Sequence, residues 1–496
     1  MLAAKMMMAV GAAQEKLYVD DVFSSYLYTG NGSTQTINNG IDLAGKGGLT
    51  WFKNRGLSEA HYLYDSVRGG GSSLSTDNVN EASSFAPAMW VPLSNGFRLD
   101  RSFSPNTSSQ NYASWTFRRA PKFFDVVTYT GNASSPRTLN HSLGVQPGMI
   151  IIKRTDTTGN WGVGHRGTGA ANAGVQGISL NATNAAVVTN ADWSLHTATT
   201  FRPDLIAGHD AVGMNANSAT YVAYLFAHDP SADGIIQCGS FGNILDGEVN
   251  LGWEPQFVLV KSSTASGSWA MMDVIRGMTA STTAVTLTKT LYANNASSES
   301  DGYFLSPTST GFRFKGEGTN SQPVYLAIRR PNKPPTTGTQ VFSQSAASGV
   351  FNAGFPVDMH LGFSRAGVAS NTRSHSRLAG GTKELVTSST AAEATVTDVG
   401  FDSSTGLRLS FGSNEINYLL KRAPGFFDVV CYTFGGTLTI NHNLGVTPEL
   451  LIRKQRNGND AGDWPVHAPA LLGGVNNQLQ LYSNGAKFAS ISVTAS

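Results

Sequence analysis

Arg118-Arg119-Ala120-Pro121-Lys122-Phe123-Phe124-Asp125-Val126-Val127 recurs almost unchanged as Lys421-Arg422-Ala423-Pro424-Gly425-Phe426-Phe427-Asp428-Val429-Val430. The sequel matches too. Tyr129-Thr130 corresponds to Tyr432-Thr433, and Thr138-Leu139-Asn140-His141-Ser142-Leu143-Gly144-Val145-Gln146-Pro147 corresponds to Thr439-Ile440-Asn441-His442-Asn443-Leu444-Gly445-Val446-Thr447-Pro448. Repetition of this kind marks a chain built from copies of one supersecondary unit.

Two weaker copies keep the same landmarks. Leu251-Gly252-Trp253-Glu254-Pro255 precedes Phe257-Val258-Leu259-Val260-Lys261 just as Pro147 precedes Met149-Ile150-Ile151-Ile152-Lys153. At the front, Tyr28-Thr29-Gly30-Asn31 leads to Leu49-Thr50-Trp51-Phe52-Lys53. "Leu-Gly, proline, apolar strand, Lys or Arg" therefore serves as a unit marker. The copies give five units of roughly 100 residues, the size of one β-sandwich. The reading is an arm over residues 1–22, then units over 23–122, 123–229, 230–335 and 336–424, and a shortened unit over 425–496. Connectors near Pro121, Pro230, Pro331 to Pro335 and Pro424 separate them, and each unit is expected to hold its own core.

Alternation in Asp125-Val126-Val127-Thr128-Tyr129-Thr130 and Tyr221-Val222-Ala223-Tyr224-Leu225-Phe226 has the period of strands. The fold class is all-β, with tandem sandwich repeats behind a short N-terminal helix or arm. The fifth unit is either a reduced sandwich or one completed by a neighbour, because an unpaired edge is a liability.

Composition agrees. Charged residues are 14% of the chain, against about 25% in an average globular protein, and the net charge is +2. No Lys/Arg run would track phosphates, so nucleic acid is not an expected partner. No stretch reaches the ~18 apolar residues of a membrane span. Cys238 and Cys431 lie in different units, outside metal-ligand spacing, and are expected as free thiols. Met1-Leu2-Ala3-Ala4-Lys5-Met6-Met7-Met8-Ala9-Val10-Gly11-Ala12-Ala13 is short for a signal peptide; it reads as a helix or arm ordered by docking on a neighbouring subunit.

The opening Tyr28 to Ile37, the Leu-Gly-Val-x-Pro element with its apolar strand, and the strand from Tyr221 to Phe226 resemble the concanavalin-A-like, or LamG-like, sandwich modules of bacteriophage tail-fibre and other virion proteins. The resemblance implies jelly-roll sandwiches, a location in the virion after synthesis in the host cytoplasm, trimerisation, docking on other virion proteins through the arm, and contact with a host-surface glycan. The function it implies is a structural, non-enzymatic tail fibre or tail-attached protein. The alternatives are a head fibre or capsid-decoration protein, and a tailspike-like polysaccharide depolymerase.

Several constellations bear on chemistry. Gly40 to Gly47 nearly spells a phosphate-binding loop, but Gly47 stands where Ser or Thr would hold Mg²⁺. Trp161 with His165, Trp269 with Asp273 and Trp464 with His467 occupy comparable places; a tryptophan recurring in repeats is read first as core and second as a sugar-stacking surface. The candidate glycan contacts are Trp464 and the loop residues Asn457, Asn459, Asp460 and Asp463. A glycosidase needs two carboxylates across a bond, and the nearest pair, Glu299 and Asp301, sits in a Ser-rich turn without a third acid. No catalytic, cofactor-binding or metal-ligating residues are expected.

Overall fold

Four strands recur in one lateral order in each of the first four units: opening, closing, central, outer. In unit 1 these are Phe23–Thr29, Asn111–Arg118, Gly48–Asn54 and Tyr62–Asp65; in unit 2, Phe124–Thr130, Thr220–Ala227, Pro147–Arg154 and Gly162–His165. Unit 3 uses Ile236–Ser240, Pro323–Arg329, Pro255–Ser262 and Ala270–Asp273; unit 4 uses Phe342–Ser345, Glu415–Leu420, Met359–Ser364 and Arg373–Ser376. All these pairings are antiparallel. The protein is all-β, as its sequence predicts. This computed structural model describes residues 16–489 apart from 101–103, 169–174, 207–212, 243–246, 281–286, 316–321, 347–348, 366–371, 411–414, 434–437, 458–462, 474–476 and 487.

A second layer completes the units. In unit 1 it is the sheet Gln35–Asn38, Gly96–Leu99, Trp90–Leu93, and in unit 4 the sheet Gly349–Asn352, Gly406–Leu409, Val399–Gly400. The glycine of the unit marker has a local cause. Gly144, Gly252 and Gly445 have φ of 66°, 78° and 69°, the left-handed region where a side chain is strained.

Units 1, 3 and 4 each hold an apolar core of their own, and a further cluster runs across units 1 to 3. Every residue of the central strand Gly48–Asn54 is buried, because both faces of the sheet are covered. In unit 3, Val258 and Val260 point into the sandwich, with Trp253 and Phe312. The alternate residues Phe257 and Leu259 point the other way, into a cluster that also contains Trp51, Trp115 and Phe117 of unit 1 and Met149, Trp161 and Phe226 of unit 2. Phe117 lies 5.5 Å from Phe226 and 6.4 Å from Phe257, ring centre to ring centre. Period 2 thus feeds two cores, one inside the sandwich and one shared among units 1 to 3. Unit 4 stays outside that cluster, and its central strand is buried on one face only.

Of the arm expected over residues 1–22, the first fifteen lie outside the described residues. From Lys16 the chain runs along the protein's own surface: Lys16 pairs with Asp233 at 2.6 Å, and an Asp20 oxygen accepts the Asn332 and Lys333 backbone N–H groups. Cys238 is buried and Cys431 half-buried, both as free thiols. Among the described residues no helix is long and apolar enough to cross a membrane.

Candidate functional site: a lock repeated between units

The lysine that ends each apolar strand reaches into the neighbouring unit. Lys53 Nζ donates to the Ala296 carbonyl of unit 3 at 3.0 Å, and Lys153 Nζ to the Val79 carbonyl of unit 1 at 3.2 Å. Lys261 Nζ donates to the Thr183 and Asn184 carbonyls of unit 2 at 2.9 and 3.1 Å, and Lys454 Nζ to the Thr390 carbonyl of unit 4 at 2.7 Å. Lys53, Lys153 and Lys261 are essentially inaccessible to solvent. Burial holds each of the three down to about 8, since an ammonium loses hydration that carbonyls only partly replace.

A second contact accompanies the lysine. Strand pairing puts Leu49, Met149 and Phe257 opposite Asp65, His165 and Asp273. Four residues before those partners stand His61, Trp161 and Trp269. Trp161 Nε1 donates to the Ser75 carbonyl of unit 1, and Trp269 Nε1 to the Ser179 carbonyl of unit 2, both at 3.0 Å. Trp464 Nε1 donates to the Val386 and Ser389 carbonyls of unit 4. His61 substitutes for tryptophan: its Nδ1 accepts from Trp51 Nε1 at 2.8 Å, which leaves Nε2 to donate to the Tyr292 carbonyl of unit 3 at 2.9 Å.

Backbone hydrogen bonds follow the same rule two residues beyond each lysine. Ala82 N–H donates to Thr155 O, Ala186 N–H to Ser263 O, Glu299 N–H to Arg55 O and Glu393 N–H to Arg456 O, at 2.8 to 3.1 Å. In the last two, the side chains join as well: Arg55 holds Glu299, and Arg456 holds Glu393, each through two hydrogen bonds. Unit 2 therefore locks onto unit 1, unit 3 onto unit 2, and unit 1 back onto unit 3. The three close a ring. Unit 5 locks onto unit 4 by the same device. Unit 4 has Phe363 and Thr372 at the lysine and tryptophan positions, so it receives a lock and offers none.

Two further joints fix units 4 and 5 to the ring. Arg422, from the repeated phrase, makes two hydrogen bonds to Glu254 of unit 3 at 2.8 and 3.0 Å, and Arg330 reaches Asp428 at 2.6 Å. Burial opposes ionisation of Asp428, but Arg330 and Arg422 outweigh it and hold the carboxyl below its usual range. Sequence reading picked out these residues as a repeat and missed that the second copy is a joint between units.

Of the candidate glycan contacts, Asn457, Asp463 and Trp464 fall among the described residues. Trp464 is buried, with Lys454 over its ring and its indole N–H spent on unit 4, so it is a wedge between units and offers no free face for a sugar. Asp463 is exposed but accepts from Gln480 and Tyr482. Asn457 is exposed and its carbonyl accepts from Gln455. Asn459 and Asp460 lie outside the described residues.

A groove of about 640 Å³ opens where units 1, 3, 4 and 5 meet, lined by Arg55, Arg276, Glu299, Arg377, Glu393 and Arg456. Its charges are largely matched in place: Arg55 and Arg276 on Glu299, Arg456 on Glu393. Burial pushes the Glu299 carboxyl up, yet the two arginines more than offset this and leave it below the ordinary range. Among the described residues no group of three His, Cys, Asp or Glu is placed to hold a metal ion.

Comparison with known families matches residues 19–323, from just before the first opening strand to the start of unit 3's closing strand. The chain belongs to the DUF7483 family, a domain of unknown function. The DUF7483 match covers units 1 and 2 and unit 3 up to its closing strand, and stops before unit 4. No curated protein and no solved structure matches the chain.

Proposed function

We propose that this DUF7483 protein is a non-enzymatic structural component of a bacteriophage particle, a tail fibre or tail-attached protein that presents sandwich units to the host surface. The observation that carries the reading is the closed ring. Three units share one apolar cluster and are tied by buried lysines, an arrangement that favours a stiff body over independent domains on flexible linkers. Trimerisation belongs to the same proposal, and the part of the arm ahead of Lys16 is the proposed attachment to other virion proteins, since Lys16 to Val22 pack on the protein itself.

The groove supports a non-enzymatic role. A general acid in a glycosidase needs a carboxyl held above its usual range. Glu299 is shifted the other way by Arg55 and Arg276, and Asp301 is bound to Lys289 at 2.9 Å.

Immunogold labelling of purified particles with an antibody to unit 4 tests the location. The expected result is label at the tail. Label on the head would move the protein to the decoration class, and absence from particles would refute a virion role. Incubation with host-surface polysaccharide is expected to release no product; release would make it a depolymerase.

A further inference from the structure

Units 1 to 3 turn the same sheet face into their common cluster, from matched register positions. On the opening strand these are Phe23, Phe124 and Ile236, each paired with an apolar residue of the closing strand. On the central strand they are Trp51, Ile151 and Leu259, opposite Trp115, Tyr224 and Leu326. All of them are 3% exposed or less.

Unit 4 builds the same face and leaves it open. Its register puts Phe342 in the place of Phe23, Phe124 and Ile236, and pairs Leu361 with Tyr418 as Ile151 pairs with Tyr224. Phe342 is 39% exposed, and Leu361 and Tyr418 are half-buried. Phe363, 36% exposed, stands where units 1 to 3 carry the locking lysine. The rings of Phe342 and Phe363 both lie on Tyr418, the first stacked at 5.9 Å and the second edge-on at 5.6 Å. Three aromatic rings thus run in a row across the surface of a sheet, a contiguous apolar patch of the kind that marks an interaction site. The four strands Phe342–Ser345, Glu415–Leu420, Met359–Ser364 and Arg373–Ser376 contain two residues with full charges, Glu415 and Arg373. Both alternate to the opposite face, where they approach each other at 3.8 Å. The aromatic face carries no charge.

We propose that this face of unit 4 binds a second copy of the chain, unit 4 against unit 4, as units 1 to 3 meet within one chain. Three observations choose the occupant. Inside the ring such a face packs against the like face of another unit: Phe23 lies 5.6 Å from Phe257, and Phe117 5.5 Å from Phe226. An uncharged face meets no like charge when it meets itself. Phe363 replaces the lysine whose ammonium needs a neighbour's carbonyls, so a contact between two copies of unit 4 buries no unpaired cation there. The inference names the surface for the trimerisation proposed above and rests on that part of the reading.

Sedimentation of the full chain over a roughly hundredfold range of concentration tests it. The expected result is an oligomer that Phe342→Gln and Phe363→Lys each weaken at least roughly tenfold in dissociation constant. Phe363→Lys supplies the residue that units 1 to 3 have at this position, and both sites are part-exposed, so circular dichroism is expected to show folded protein in each case. Should one variant fail to fold, the other decides. A monomer at every concentration would overturn the inference and trimerisation together. An oligomer indifferent to the substitutions would overturn the inference alone and leave trimerisation to another surface. A monomer that self-associates only after deletion of residues 2–15 would overturn it by assigning the face to the chain's own first residues.

Discussion

The indole Nε1 of Trp161 stands 3.0 Å from the carbonyl oxygen of Ser75, across the seam between units 2 and 1. The same bond, from an equivalent residue to an equivalent carbonyl, recurs from Trp269 to Ser179. A contact repeated by independent copies of a unit is part of how the units assemble. Trp161→Phe keeps the ring and removes the N–H; it is expected to cost about 1 kcal/mol, whereas Trp161→Ala, which also empties a buried site, should cost about 3 to 5 kcal/mol. Urea unfolding of the two variants measures both, and an unchanged stability in Trp161→Phe would mean that the indole N–H contributes nothing.

Lys53 closes the ring. Its ammonium donates to Asn54, Leu57 and, in unit 3, Ala296. Lys53→Met preserves length and leaves those carbonyls without their donor, with an expected loss of about 1 to 3 kcal/mol. Lys289→Met removes an exposed lysine from its pair with Asp301 and should change stability by less than about 0.5 kcal/mol. Thermal unfolding of the two variants side by side is the check.

Acid should loosen the assembly. Burial holds His61 down to about 3 and His165 to about 4, and each donates from Nε2 across a seam, to Tyr292 and Tyr325 carbonyls. Their Nδ1 atoms accept hydrogen bonds, so both rings are neutral in the folded protein. Between about pH 6.5 and 4 the unfolded chain binds protons that the folded one refuses, so stability falls as pH falls through that window. The lysines work in the same direction at the other end: held at about 8, they make the folded state bind fewer protons than the unfolded one, and stability should rise from pH 8 toward 10. A melting-temperature series across pH 4 to 10 reads both slopes; a maximum near pH 6 would contradict the assignment.

The repeat was legible because its phrase is nearly verbatim at Arg118 and Lys421, and the strands because their apolar residues alternate. The lysine was legible only as a punctuation mark. Its acceptor lies in another unit, 74 residues back for Lys153 and 243 forward for Lys53, and a backbone carbonyl leaves no trace in residue identity. For the same reason Trp464 read as a surface or core residue when it is a wedge between units. The shared core was hidden by a symmetry of strands: Phe257 and Val258 look alike in sequence, though one faces the neighbouring units and the other its own sandwich.

Units 4 and 5 should come away from the ring when their joint is broken. Glu254→Ala removes the bidentate partner of the buried Arg422, which keeps only the longer carboxylate contact to Asp428 at 3.7 Å, and is expected to cost about 1 to 3 kcal/mol. The loss should fall on residues 336–496, so limited proteolysis is expected to release that region and leave residues 17–335 intact. Simultaneous digestion of the whole chain would mean that the ring depends on units 4 and 5.

The central claim is that units 1 to 3 form one cooperative body. Its most direct test is urea unfolding of residues 17–335 beside residues 123–229, followed by circular dichroism and tryptophan fluorescence. The account predicts a single coincident transition for residues 17–335 and no folded baseline for residues 123–229, whose Met149, Ile151 and Phe226 would lose their neighbours. A stable, independently cooperative fragment 123–229 would contradict it.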